Sequence, residues 1–260
     1  MEQLEKDRTV IGPASFRRIL GIRFFVGSEQ EAIDEIFRNG GLVVVPSGPG
    51  LKTLPYDDQY RRALLGADFA IADSGLMVLL WNLIQWDRIH KFSGLKYMRA
   101  LVEQPEFREP GASFWVMPTP DSAERNMTWL RGQGIQIAEG DVYIAPLYEA
   151  VICDPELLSR LEQRRPRHIM LGVGSGRQEP LGLYLKANLG YRPALHCIGA
   201  AIAFLSGDQV RIPVWVDRFA LGWLWRCLSN PKRYVPRYWE ARHLASLMLR
   251  YRDQLPTINA

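Results

Sequence analysis

Along the chain, short apolar runs alternate with segments whose apolar positions recur at helical spacing. Ile19–Val26 and Leu42–Pro46 read as strands. Between them Ser28-Glu-Gln-Glu31 is a capping box, in which serine oxygen and glutamate satisfy orphan amides at a helix start. Ala32, Ile33 and Ile36 then form the apolar face of that helix. Ala67–Ala72 is a further strand, ending at Asp73-Ser-Gly75, and Leu76–Leu83 is helical. Phe114–Met117 reads as a buried strand closed by Pro118-Thr-Pro120; Asp121 and Glu124 mark a cap for a helix running to about Arg131. Ile135–Ala138 and His168–Val173 read as strands, Asp154-Pro155 as a helix start, Leu181–Leu189 as a helix and Ala194–Ile198 as the last strand. Such alternation predicts an α/β fold: a Rossmann-like, mostly parallel sheet with helices on both faces. In such sheets ligands bind beyond the carboxyl ends of the strands. The chemistry is therefore expected at Pro46–Gly50, Asp73–Gly75, Pro118–Asp121 and Gly174–Glu179.

The last fifth of the chain breaks this pattern. Pro231–Trp239 is basic and aromatic and carries two prolines, and beyond it Leu244, Leu247, Met248, Tyr251 and Leu255 recur at helical spacing. Charge sharpens the contrast. The 260 residues carry a net +4, but residues 1–210 hold 23 basic and 25 acidic side chains, whereas residues 211–260 hold 9 and 3. Four of the eight tryptophans, Trp215, Trp223, Trp225 and Trp239, lie there too. We therefore expect an N-terminal extension (1–18), a core (19–210) and a C-terminal helical appendage (211–260) that docks on a membrane. A helix with one apolar face and a cationic rim can lie in a bilayer interface, or it can simply pack on the core. Nucleic acid is not expected as a partner, because neither a broad basic field nor a known motif is present. Apolar residues make up 47% and charged residues 23%, which excludes disordered and collagenous chains. Three widely spaced cysteines argue against a disulfide framework. The charged start shows no signal peptide, and no apolar run reaches the roughly 20 residues needed to cross a bilayer.

Three features carry candidate chemistry. Asp73 ends a strand, so its carboxylate suits a general base that takes a proton from an attacking hydroxyl; it also suits an N-cap for the next helix. Gly172-Val-Gly174-Ser-Gly176 joins a strand to a helix, where backbone amides approach phosphates, with Arg177 and Gln178 adjacent; a plain tight turn fits the same residues. Its GxGxG spacing makes only a weak dinucleotide fingerprint, and a nucleotide-cofactor oxidoreductase stands as one alternative. The Pro46–Gly50 turn fits plain loop punctuation, and its place after a strand also suits Ser47 as a ligand contact. Arg211, Arg226, Lys232, Arg233 and Arg237 match diphosphate, since guanidinium forks fit phosphate oxygens. The four histidines lack the spacing of a helical metal site, so no metal or other cofactor is expected.

From Ile19 to Tyr251 the order of motifs resembles the WecG/TagA/CpsF family of glycosyltransferases. The likeness rests on Ile19–Arg23, Val43–Ser47, Ala67–Asp73, Val173–Glu179, Gly199–Gly207, Arg211-Ile-Pro213, Gly222–Arg226 and Asn230–Arg233. The resemblance implies inverting, metal-independent transfer of a sugar from a UDP-sugar to a polyprenyl-diphosphate-linked saccharide, at the cytoplasmic face of the cell membrane. It implies Asp73 as base and Gln178 at the nucleotide sugar or orienting the acceptor; Glu179, Ser47, Gly174 and Gly176 are expected at the nucleotide sugar as well. It places Lys91, Arg211, Arg226, Arg233 and Arg237 at diphosphate or acceptor, and leaves a homo-oligomer open. The chain departs from the family pattern at Val45, Ser47, Ser74, Lys91 and Ala203. Lys91 keeps a cation but loses the fork of an arginine. These departures point to a divergent member with altered donor or acceptor, or to a non-catalytic, membrane-docked component.

Overall fold

The computed structural model describes residues 15–149, 151–198, 201–207, 222–240 and 242–258. Its sheet opens with an antiparallel hairpin, β1 (Phe16–Ile19) and β2 (Ile22–Phe25). The single strand expected over 19–26 is thus two strands folded at Leu20–Gly21. Gly21 has φ +76°, and a Cβ there would sit 2.6 Å from Leu255 Cβ, so the turn needs glycine. The chain continues through α1 (Glu29–Asn39), β3 (Gly41–Val44), α2 (Gly48–Leu51), α3 (Asp58–Leu65), β4 (Phe69–Ile71), α4 (Gly75–Gln85) and α5 (Gly94–Glu103). It then forms β5 (Ser113–Met117), α6 (Pro120–Gly132), β6 (Val142–Ile144), α7 (Pro155–Arg164), β7 (His168–Leu171), α8 (Gln178–Asn188), β8 (Ala194–Cys197) and α9 (Ala201–Ser206). Three helices follow: α10 (Gly222–Ser229), α11 (Pro231–Glu240) and α12 (Arg242–Tyr251).

The eight strands lie in the order β1-β2-β4-β3-β8-β7-β5-β6, and every pair after the hairpin is parallel. The expected α/β class is therefore correct. Strands β3, β4, β5, β7 and β8 are buried along their whole length, as parallel strands covered on both faces must be. One face is covered by α1, α5, α6 and α9, whose Ile33, Met98, Leu130 and Ile202 pack with Phe25, Val43, Trp115 and Met170. The other face is covered by α2, α3, α4, α7, α8 and α12, whose Leu51, Tyr60, Trp81, Leu161, Leu185 and Met248 pack with Phe24, Val44, Phe114 and Leu171.

Caps explain most helix starts. The Ser28–Glu31 capping box is present, and Asp154 caps α7 ahead of Pro155. At α6 the cap is Thr119, which accepts from Ser122 N, rather than Asp121. Pro120 decides this, because its fixed φ and missing N–H suit the first helical position. Residues 135–138 form no strand. Ile135 and Ile137 are buried there as irregular chain, and the strand comes later, as β6.

Two histidines that are far apart in sequence meet in this core. His168 Nδ1 lies 3.2 Å from His196 Nε2, and His196 Nδ1 lies 2.9 Å from the Tyr97 hydroxyl on α5. Burial, with Arg167 adding, lowers His168 to about 4, and burial holds His196 well below the usual range, so both rings are neutral at pH 7. They tie α5 to the centre of the sheet.

Residues 242–258 belong to the packed body. Leu244 and Met248 are buried against the second face, and Leu20 and Gly21 donate to the carbonyls of Arg252 and Asp253 at 2.7 and 3.0 Å. The break in charge at residue 211 does not divide the hydrophobic core. Leu244→Ala is therefore expected to cost about 2–4 kcal/mol in urea unfolding. Leu249→Ala, on the exposed side of the same helix, should stay within about 0.5 kcal/mol. Equal effects would mean that α12 does not pack as described.

Candidate functional site

The site follows from how the chain leaves the sheet. After β3 it turns to the second face, where Leu51 of α2 is buried, and after the neighbouring β8 it turns to the first, where Ala201 and Ile202 of α9 are buried. Adjacent strands whose continuations part to opposite faces leave a crevice at their carboxyl ends. Short contacts run along this edge from β4 through β3 to β8 and β7.

Asp73, half-buried, stands at the end of β4. It is not the cap of α4: Ser74 holds that position and accepts from Met77 N at 3.2 Å. The Asp73 carboxylate instead accepts from Gly94 N, at the first turn of α5, at 3.1 Å. Among the described residues no partner engages its second oxygen. Gly94 is pinned against both central strands, since a Cβ there would lie 3.1 Å from Val45 Cγ1 and 3.7 Å from the Ile198 carbonyl. Phe92 N donates to the Ala72 carbonyl at 3.1 Å, which lays the half-buried Lys91 and its segment beside Asp73. Gly94 and its cap Ser93 escaped the sequence reading. The available signal was Ser93-Gly ahead of Leu95, Met98, Leu101 and Val102 at helical spacing.

Ser47 caps the short α2, accepting from Gly50 N at 3.2 Å, and Gly48 lies so close that a Cβ would meet Ser74 Oγ at 2.9 Å. Gly50 faces Tyr60 of α3 equally closely, with 2.5 Å from its ideal Cβ to the phenol oxygen. That buried phenol also faces the β7–α8 loop. Burial, then the Glu179 carboxylate, push it well above the usual tyrosine range. In the loop itself Gly174 and Gly176 have φ of +95° and +89°, and open space lies where side chains would be. Gly176 N, however, donates to Glu179 Oε2 at 2.7 Å. Gln178 and Glu179 are fully buried beneath the loop and joined to each other at 3.1 Å, and Cys197 of β8 donates to the Gln178 carbonyl at 3.2 Å. Both residues brace the loop from below. The groups that face outwards are Arg177 and the loop backbone. Burial pushes Glu179 up to about 7, against the hydrogen bonds it accepts.

The tail reaches this edge, because α11 packs against α2 and Leu244 of α12 lies 3.6 Å from the ideal Cβ position of Gly48. Arg226 lies on α10 and Arg233 and Arg237 on α11, but their side chains, like all of Arg211, lie outside the described residues. Ala203 is buried on α9. Two cavities, of about 560 and 440 Å³, lie elsewhere. One is lined by Arg131, Ile137 and Asp141, the other by Gly41, Lys186 and Arg192, and neither holds any of the residues just described.

Two comparisons with known proteins bear on this arrangement. Residues 17–257 match the model of the glycosyl transferase WecG/TagA/CpsF family. The chain is also 22% identical, over 215 residues, to an N-acetylglucosaminyldiphosphoundecaprenol N-acetyl-beta-D-mannosaminyltransferase of Bacillus spizizenii (strain ATCC 23059 / NRRL B-14472 / W23). That similarity covers 77% of this chain and 78% of the relative. The family match sets aside the oxidoreductase alternative.

The elevated Glu179 yields a pH prediction. Its carboxyl stays protonated in the native state up to about pH 7, whereas in the unfolded chain it ionises near 4.5. The stability it contributes is full below 4.5 and is lost as pH rises through 7. Between pH 5 and 8 the wild type should lose roughly 2–3 kcal/mol relative to Glu179→Gln in urea unfolding. A constant difference would mean that the carboxyl titrates normally.

Proposed function

From membership of the glycosyl transferase WecG/TagA/CpsF family, to which this chain belongs, we propose that it moves a sugar from a UDP-sugar to a polyprenyl-diphosphate-linked saccharide. The relative from Bacillus acts, by its name, on a lipid-linked N-acetylglucosamine, and an acceptor of that class suits an edge flanked by a basic, aromatic tail. The observation that carries the reading is Asp73. A carboxylate at a strand end, relieved of capping by Ser74 and held by one amide through one oxygen, has its other oxygen available for a proton.

In this reading Asp73 takes the proton of an acceptor sugar hydroxyl as that oxygen attacks the anomeric carbon. The C–O bond forms on the face opposite the departing UDP, so the configuration inverts. The Gly94 amide, at the start of α5, fixes the direction of the carboxylate. The leaving diphosphate carries charge that must be met as it develops. The exposed backbone at Gly174 and Ser175 and the Arg177 guanidinium supply that on one side, and Lys91 with the tail residues Arg211, Arg226, Arg233 and Arg237 on the other. Gln178 and Glu179 act through the loop, and Ser47 through the turn that it caps. No metal is needed in this scheme, and the acceptor brings the enzyme to the cytoplasmic membrane surface.

Asp73→Asn tests the assignment. The amide oxygen can still accept from Gly94 N, so the fold should hold and Tm should be unchanged. Transfer from a UDP-sugar panel to a polyprenyl-diphosphate-linked acceptor should fall about 100- to 10,000-fold in kcat. Full activity in this variant would remove Asp73 as the base.

A further inference from the structure

Helix α4 starts one residue after the Ser74 cap, and its composition does not match its surroundings. Its sequence, Gly75-Leu-Met-Val-Leu-Leu-Trp-Asn-Leu-Ile-Gln85, holds no charged residue. One side is core: Met77, Val78 and Trp81 are buried. The opposite side is equally apolar but faces outwards, with Leu79 56%, Leu83 65% and Trp86 93% exposed, and Leu76 more than a third exposed. These residues follow helical spacing, so they form one continuous stripe. A helix that is apolar all round is normally surrounded by apolar material. At 11 residues, about 16 Å, it is too short to cross a bilayer, and no helix among the described residues is long and apolar enough to do so.

Trp86 adds a second observation. It ends the helix in the left-handed conformation, φ 53°, where glycine is the usual residue and a bulky side chain is rare. Nothing in the fold rewards tryptophan there, since its ring is almost wholly exposed. The segment after it is nevertheless held firmly. Asn82 bonds both the N–H and the carbonyl of Ile89, and Asp87 binds Arg17 at 2.7 Å and the Trp81 indole at 3.2 Å. The backbone that carries the exposed ring is thus held on both sides.

We propose that the outer face of α4, formed by Leu76, Leu79, Leu83 and Trp86, seats this protein on an anionic lipid surface with the Asp73 edge beside the headgroups. The choice of lipid rests on the reading that the acceptor is lipid-linked, because α4 begins at the site where such an acceptor must arrive. It also rests on charge. Arg88 is exposed two residues after Trp86, and the exposed Arg242 and His243 start α12, which packs beside α4. Arg242 lies 4.6 Å from the ring of the exposed Trp239. An apolar strip with cations and tryptophans at its ends is the pattern of an interfacial helix.

The test uses the full chain and vesicles of phosphatidylglycerol and phosphatidylcholine. In sedimentation the triple variant Leu79→Gln, Leu83→Gln, Trp86→Gln should bind at least tenfold less than wild type, with circular dichroism and Tm unchanged. Should the triple variant lose stability, Leu83→Cys carrying an environment-sensitive fluorophore, in a Cys153→Ser, Cys227→Ser background, reports directly: its emission should shift to the blue on adding vesicles. Vesicle binding that survives the triple substitution, or a fluorophore that ignores vesicles, overturns the proposal. So does a wild-type dimer, seen by analytical ultracentrifugation without lipid, that the triple variant dissolves, because the face then belongs to a second copy. UDP binding by calorimetry separates the two readings. Vesicle binding that depends on α4 in a chain with no affinity for UDP overturns the donor and leaves the docking face standing.

Discussion

The hydrogen bond from the Gly94 amide to the Asp73 carboxylate joins everything at the carboxyl edge of the sheet. It crosses from the end of β4 to the start of α5, where a Cβ on residue 94 would crowd Val45 Cγ1 at 3.1 Å. From that point α5 runs down the first face and carries Tyr97 to the neutral His196–His168 pair in the core. A buried, uncharged imidazole chain thus anchors the helix whose first turn orients the carboxylate. Chemistry at the edge and packing in the middle are parts of one construction.

On the other side of the crevice the logic is buttressing. The Gly174–Gly176 loop holds positive φ at two glycines and leaves open space above them, while Glu179 ties it from below through Gly176 N. Tyr60 stands between this loop and the turn at Gly50. In the proposed reaction, direct contact with a ligand falls to backbone and to exposed side chains, and the most deeply buried polar groups hold those in place. Such division is expected where a site must be rigid before its substrate arrives.

Much of this was legible in the chain. Parallel strands buried on both faces read as plain apolar runs, so the ends of β3, β4, β7 and β8 could be located, and with them Asp73 and the glycine loop. What could not be read depends on distant residues meeting. Gly94 matters because Val45 and Ile198 flank it, and Tyr60 because Gly50 and Glu179 do. His168 and His196 looked scattered because only the sheet makes them neighbours. The hairpin at Leu20–Gly21 was hidden inside an apolar run, since its turn is set by Leu255 from the far end of the chain. The charged tail looked separate because charge follows the surface, while Leu244 and Met248 follow the core.

The central claim is that donor and acceptor meet at the edge where the β4, β3, β8 and β7 loops converge. Hydrogen–deuterium exchange with and without UDP tests it most directly. Slower exchange is expected at residues 46–50, 73–75, 91–95 and 173–177, with the strands unchanged. Protection confined to the cavity lined by Arg131, Ile137 and Asp141, or to that lined by Gly41, Lys186 and Arg192, would contradict it.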